Sequence, residues 1–222
     1  MLLDLFTSGN PVEATIILFL LNIVIVLFAL TVHEVSHGYV AYKLGDPTAR
    51  NLGRLTLNPM RHLDPIGALA MLLFGFGWAK PVPINSRYFK NPRWGMALTA
   101  AAGPASNLLL AFANVLVLRL AFLLFGAQFG STPLFSIFIS FIMSAAYLNI
   151  ALAIFNLLPI PPFDGSRIFY VFLPPKLYFG VMKYERLIMI GVLVLMMFGA
   201  FSGLLSNITY FILNGMYFIV GF

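Results

Sequence analysis

Four stretches of this chain hold no Asp, Glu, Lys or Arg: Ala14 to Val32, Trp94 to Leu118, Leu120 to Phe163 and Leu187 to Phe222. No other feature constrains the fold as strongly. A helix that crosses a bilayer needs about 20 apolar residues, and in lipid only helices and closed barrels pair all their backbone groups internally. The first two stretches predict one helix each. The third predicts one span after the breaker run Gly126 to Pro133. The fourth, 36 residues long, is too long for one upright helix and short for two, with a weak point at Gly199, Ser202 and Gly203. It is read as two short spans. The expected fold is an all-α polytopic membrane protein of about five transmembrane helices, at about 14–42, 95–118, 134–158, 187–202 and 204–222, in one domain over residues 1–222.

Composition closes off the alternatives. Only 9% of the 222 residues are charged, against about 25% in a soluble domain. So few charges cannot cover a surface in water, which excludes a soluble enzyme, and a chain 61% hydrophobic is not disordered. The absence of cysteine excludes a disulfide scaffold, a cysteine nucleophile and a zinc–thiolate site.

The basic residues predict orientation. Of 13 Lys and Arg, eight lie from Lys43 to Arg93 and four from Arg167 to Arg186. Those two loops are expected in the cytoplasm. The N-terminus, which has only Asp4 and Glu13 before Lys43, is expected outside. The net charge of +6 then reflects topology, with the lipid bilayer and its anionic headgroups as partner and no nucleic acid. No basic region precedes the first apolar run, so a cleaved signal peptide is not expected.

Within the first cytoplasmic loop, residues Leu52 to Asn58 alternate apolar and polar and stop at Pro59, as a strand would. Lys80 to Asn85 reads as a second extended piece, its two prolines suiting an edge. Together they suggest a small membrane-proximal β element. Two irregular loop pieces are the alternative. Pro65 to Ala79 is apolar but only 15 residues long, with Gly67, Gly75 and Gly77 inside, and reads as a re-entrant or interfacial segment.

The chemistry begins at His33-Glu34-Val35-Ser36-His37. The apolar run enters it without a breaker, so it lies on the first helix. Two histidines at i and i+4 share one face and can hold one zinc ion, and the adjacent Glu34 can act as general base toward a metal-activated water. An ionisable group in a membrane helix points to function. The competing reading is a helix end whose His and Glu sit among headgroups. Catalytic zinc usually takes three protein ligands, and few candidates exist for the third. Asp4 and Glu13 are at the far face, Glu185 sits in a charged cluster, and Asp46 in Gly-Asp-Pro reads as a turn. Asp164 follows the third span in Asn156-Leu-Leu-Pro-Ile-Pro-Pro-Phe-Asp-Gly165, on an unwound segment at the depth of His33 and His37. It is the favoured third ligand, an ordinary Asp-Gly turn being the alternative.

With these motifs in view, the chain resembles the site-2 protease family of intramembrane zinc metalloproteases. Further points of similarity are Gly103-Pro-Ala-Ser-Asn107 in the second span and Asn58-Pro-Met-Arg-His-Leu-Asp-Pro65 with Gly67. The resemblance runs from about Leu18 to Arg167. It implies one Zn2+ bound by His33, His37 and Asp164, Glu34 as general base, and cleavage of a membrane-spanning substrate protein within the bilayer. It also implies that Asn107 steadies the substrate carbonyl or backbone. Many such proteins carry a PDZ domain or a CBS pair. The chain resembles a compact member with neither, in a prokaryotic cell membrane.

Other polar residues carry two readings each. Asn107 can stabilise an oxyanion or bond two helices together. Asn156 has the same options, or it caps its helix. His62 and Asp64 either orient a zinc ligand or belong to a solvated loop. Two other functions compete with the protease reading. A metal transporter using His33, His37 and Asp164 in transit would show more intramembrane polar residues and repeated broken helices. A prenyl-protein endopeptidase would resemble the chain in HExxH but use later Glu and His, and no His follows His62.

Overall fold

The computed structural model describes residues 12–74, 78–126, 132–174, 177, 180 and 183–222. The chain is mostly helical. Helix α1 (Val12–Lys43) runs without a proline through the HExxH motif. A turn leads to the short α2 (Thr48–Asn51). Helix α3 (Pro65–Phe74) starts where Asp64 Oδ1 accepts from the amides of Ile66 and Gly67, at 3.0 and 2.9 Å. Helix α4 (Pro92–Phe125) is capped by Asn91, whose side chain accepts from Trp94 N, and ends at Gly126 with φ +68°. There follow α5 (Pro133–Asn156), α6 (Asp164–Phe169), α7 (Glu185–Met197) and α8 (Ser202–Val220).

Four of these helices are long and apolar enough to cross a membrane: α1 from Phe19, α4, α5 from Leu134, and α8. The expected fifth is not among them. Gly199, at φ +71°, breaks the last apolar stretch into α7 and α8 as its sequence suggested. However, α7 has only 13 residues, about 20 Å of helix against a hydrocarbon core of about 30 Å. The C-terminal end of α8 lies beside the far end of α4: the Phe222 ring is 5.8 Å from that of Phe122 and 5.5 Å from the Arg119 guanidinium. Phe122 also meets Phe135, at the start of α5. Thus α8 runs parallel to α4 and antiparallel to α5.

The core forms where α4, α5 and α8 meet, from Ala111, Val115, Ala146, Ile150, Ile154 and Leu213. Small residues on α4 and α5 let the backbones approach closely, which supplies packing where lipid offers no hydrophobic drive between helices.

No sheet forms among the described residues, whose one isolated β-bridge joins Leu63 and Ala79. The strand expected from Leu52 to Asn58 is absent because local helix geometry takes its donors. Leu52 N bonds Thr48 O, Gly53 N bonds Arg50 O, and Arg54 N bonds Ala49 O, with Gly53 in the left-handed region at φ +64°. The Lys80 to Asn85 stretch belongs to no strand, although Asn85 has extended dihedrals. Its amides go elsewhere: Lys80 N to His62 O, Val82 N to the Glu34 carboxylate, and Asn85 N to the Asp46 carboxylate. Pro81 and Pro83 have no amide to pair. The apolar piece from Pro65 folds back on itself, since a Cβ on Gly67 would overlap the Trp78 carbonyl. Gly75 and Gly77, most of the breaker run before Pro133, and Asp4 lie outside the described residues.

Asp46, read as a turn residue, is fully buried. Its Oδ2 accepts from Asn85 N at 2.6 Å, and its Oδ1 from Thr48 N at 2.9 Å and from the Thr48 hydroxyl. Hydrogen bonds to a charged group are worth about 1.5–3 kcal/mol each. Asp46→Ala is therefore expected to loosen the 80–85 stretch selectively. Amide exchange should accelerate at Thr48 and Asn85 and stay unchanged in α4 and α5.

Candidate active site

The site assembles where α4 crosses α1. His33 and His37 lie one turn apart on α1, with their Nε2 atoms 3.0 Å from each other. Helix α4 can pass this close only because of Gly103. A Cβ there would stand 2.5 Å from both His33 Cε1 and His37 Nε2. From the other side comes Asp164, the first residue of α6. Its Oδ2 lies 3.1 Å from His33 Nε2 and 3.2 Å from His37 Nε2. Asp164 is delivered by a tight turn after α5, where a Cβ on Gly165 would overlap the Leu157 carbonyl.

The ring tautomers follow from the partners. His37 Nδ1 lies 2.7 Å from the Thr99 carbonyl oxygen, which only accepts, so Nδ1 carries the proton. For His33 the logic passes through two amides. Asn149 Nδ2 donates to Ala145 O at 2.8 Å, which turns Asn149 Oδ1 toward Asn107. Asn107 Nδ2 donates to that oxygen at 2.9 Å, which turns Asn107 Oδ1 toward His33 Nδ1 at 2.6 Å. His33 Nδ1 must then be the donor. Both Nε2 atoms of the neutral rings present lone pairs to each other and to Asp164 Oδ2.

Three such atoms about 3 Å apart repel unless positive charge lies among them. Two imidazole nitrogens and one carboxylate oxygen form a donor set suited to zinc. Ligands about 2.1 Å from a tetrahedral ion stand about 3.4 Å apart, close to the observed edges of 3.0–3.2 Å. Zinc binding requires neutral imidazoles and an ionised carboxylate, the state in which these three lone pairs converge. His33, His37 and Asp164 thus form a group able to hold a metal ion.

The profile of peptidase family M50 matches residues 21–199, which span the whole of this site. The chain belongs to peptidase family M50. It is 48% identical over 158 residues to YwhC of Bacillus subtilis (strain 168), named as a zinc metalloprotease, with 69% of each chain covered. Rip2 of Mycolicibacterium smegmatis, named likewise, is 31% identical over 144 residues, 63% of this chain and 52% of that protein. Rip2 of Mycobacterium tuberculosis (strain H37Rv) is 26% identical over 194 residues, 85% of this chain and 71% of that one. No solved structure gives a significant match. The M50 chain is a multi-pass membrane protein and a zinc-dependent peptidase.

Of the residues singled out from sequence, His33, His37 and Asp164 meet, with Glu34 and Asn107 beside them. The Glu34 carboxylate accepts from Val82 N at 2.8 Å. Asn107 is fully buried and contacts His33 directly. The others have different partners. Asn156 Nδ2 bonds Leu152 O in its own helix. His62 is buried with Nε2 against Thr56 O, and Asp64 caps α3. Among the described residues no bond links any of these three to the triad.

Sequence reading missed Asn149, Thr99 and the steric role of Gly103. Asn149 carried the same signal as Asn107, an amide within a charge-free span. Thr99 contributes a backbone carbonyl, which no side-chain motif reveals. Partners that orient a metal-binding histidine are typically worth about 10–100-fold in metal affinity. Asn149→Leu should lower zinc affinity by about that factor in a chelator competition, and Asn149→Gln should recover little because its amide sits one carbon further out. Gly103→Ala should reduce zinc occupancy more severely, because the added methyl occupies the space of the two imidazoles.

Proposed function

We propose that His33, His37 and Asp164 are the zinc ligands of an intramembrane metalloprotease, that Glu34 is its general base, and that residues 1–222 form one membrane domain. The reading rests on one observation above all: the triangle of Nε2, Nε2 and Oδ2 atoms, with both Nδ1 atoms already committed to other acceptors. A zinc ion held by these three residues would supply Lewis-acid chemistry, lowering the pKa of a water to about 7. Glu34 takes the proton of the attacking water and passes it to the leaving amine. Its bond to Val82 N keeps the carboxylate oriented while leaving Oε1 for that proton.

Asn107 serves as a positioning residue rather than an oxyanion donor. Both of its amide hydrogens are directed away from the triad, to Asn149 Oδ1 and, at 3.4 Å, to Ala29 O. Asn156 completes the end of α5, and His62 and Asp64 shape the loop.

Substrates are proteins with a segment in the bilayer. Their helical backbone hides its amides in internal hydrogen bonds, so cleavage requires local unwinding next to the triad. The clustering of basic residues supports an orientation with 43–93 and 159–186 in the cytoplasm and the N-terminus outside. Four crossings suit this orientation: α1 inward, α4 outward, α5 inward and α8 outward, with α7 on the cytoplasmic side. His33 and His37 then lie about 15 and 9 Å of helix from Lys43, a short path for water from the cytoplasm.

Glu34→Gln keeps the shape of the side chain and removes the base. It should cut proteolysis of a membrane-embedded peptide by at least about 10²–10⁴-fold with zinc content unchanged. Loss of zinc from that variant would make Glu34 a ligand and reopen the role of Asp164. Orientation has its own check in this cysteine-free chain. Single cysteines at Lys90 and Thr132 should label from opposite sides of the membrane, and labelling from one side would overturn the topology.

A further inference from the structure

Beside the 80–85 stretch lies a cavity of about 360 Å³, open on one side. Arg54, Arg61 and Lys80 line it, with Leu52, Met60 and Pro83 as its apolar wall and no acidic residue in the lining. The two acids of the same loop are already engaged: Asp46 on Thr48 and Asn85, and Asp64 on the first turn of α3. Among the described residues none of the three cations has a carboxylate partner. Arg54 donates through Nη2 to Lys80 O at 2.7 Å and to Pro81 O at 3.3 Å, while its Nε is buried without any partner. Arg nitrogens in that condition are rare, because a desolvated donor left unpaired costs about 1–3 kcal/mol. Leu52 and Met60 are exposed at the rim, as is Leu57 nearby.

We propose that this cavity binds a phosphate group of an anionic lipid, with the Arg61 and Lys80 side chains as its donors and the Arg54 guanidinium adding its charge. Three converging cations match the acceptor oxygens of a phosphate, and arginine presents its donors in the fork that such oxygens fit. The exposed apolar rim supplies what a soluble anion does not use and an acyl chain does. The assignment rests on the orientation above, which puts this loop at the cytoplasmic leaflet, where anionic headgroups concentrate. Occupancy has a direct consequence for the catalytic centre. Lys80 and Pro83 belong to the stretch whose Val82 amide binds Glu34, and Arg54 holds that stretch through two carbonyls. A phosphate shared by Arg54 and Lys80 pins the stretch against α1.

The test uses the purified full chain and reads binding, which needs no proteolysis, so a failed protease assignment leaves its outcome unaffected. Delipidated protein is titrated with phosphatidylglycerol, with phosphatidylcholine and with inorganic phosphate, bound lipid or phosphate per chain being counted. Phosphatidylglycerol should saturate at one tightly held molecule per chain and phosphatidylcholine should not. The double variant Arg61→Gln/Lys80→Gln should weaken that binding by about fivefold for each cation removed, and Arg61→Lys/Lys80→Arg should retain it, which separates charge from misfolding. Exchange of the Val82 amide should slow in the lipid-bound wild type. Equal binding of inorganic phosphate would keep the anion site and assign it to a soluble source. Equal binding of phosphatidylcholine, or an unweakened Gln/Gln variant, would overturn the proposal.

Discussion

A buried file of hydrogen bonds runs from the Ala145 carbonyl on α5 through Asn149 and Asn107 to the ring of His33 on α1. It is the constraint on which the rest of the site depends, because it joins the three helices that build the site and sets the direction of a lone pair. Its contribution to stability is small, an interhelical hydrogen bond in a membrane averaging about 0.6 kcal/mol. Its contribution to geometry is larger. Rotating either amide would present a donor where an acceptor is required, and His33 would lose the tautomer that frees Nε2. The Thr99 carbonyl does the same for His37 with one bond. Sterics complete the arrangement, since Gly103 lets α4 close on α1 until those acceptors are within reach.

The loop between α1 and α4 solves a different problem. A stretch with prolines at 81 and 83 cannot join a sheet on both edges, yet its remaining amides still need partners. Three amides find them in His62 O, Glu34 and Asp46. Two of those acceptors are carboxylates, and one is the group expected to move the proton in catalysis. The loop is thereby tied to the catalytic helix by the chemistry of its own backbone. A change in that stretch reaches Glu34 through a single bond. The cation-lined cavity sits against the same stretch, at Lys80 and Pro83.

Hydrolysis inside a bilayer needs charge and water where lipid supplies neither. The acid–base groups of the site lie on one turn of α1, from His33 to His37, and Asp164 meets them from outside the spans. Among the described residues, most buried polar atoms near the triad are paired, and the two that are not are the Thr99 hydroxyl and Asp164 Oδ2. Asp164 Oδ2 has no donor hydrogen bond because both imidazoles face it with lone pairs.

The sequence alone determined the class, the shared helix face of His33 and His37, and the nearness of Asp164 to them. These rest on quantities local to the chain: the length of a charge-free run, the helical spacing of His33 and His37, and prolines that stop a helix before Asp164. It also marked Asn107 as a costly amide. What only the tertiary structure decided depends on which helices touch. Asn107 orients His33 because Asn149 of another helix occupies its amide, and no spacing within one span encodes that. Alternation at 52–58 suggested a strand, but the turn after α2 had already taken the donors. Among the described residues α7 is too short to be a candidate span, and the direction of α8 beside α4 is visible only in the ring contact of Phe222 with Phe122. Asp46 looked like a turn residue because its partner Asn85 lies 39 positions away, a separation across which pairing becomes visible only when the chain is folded.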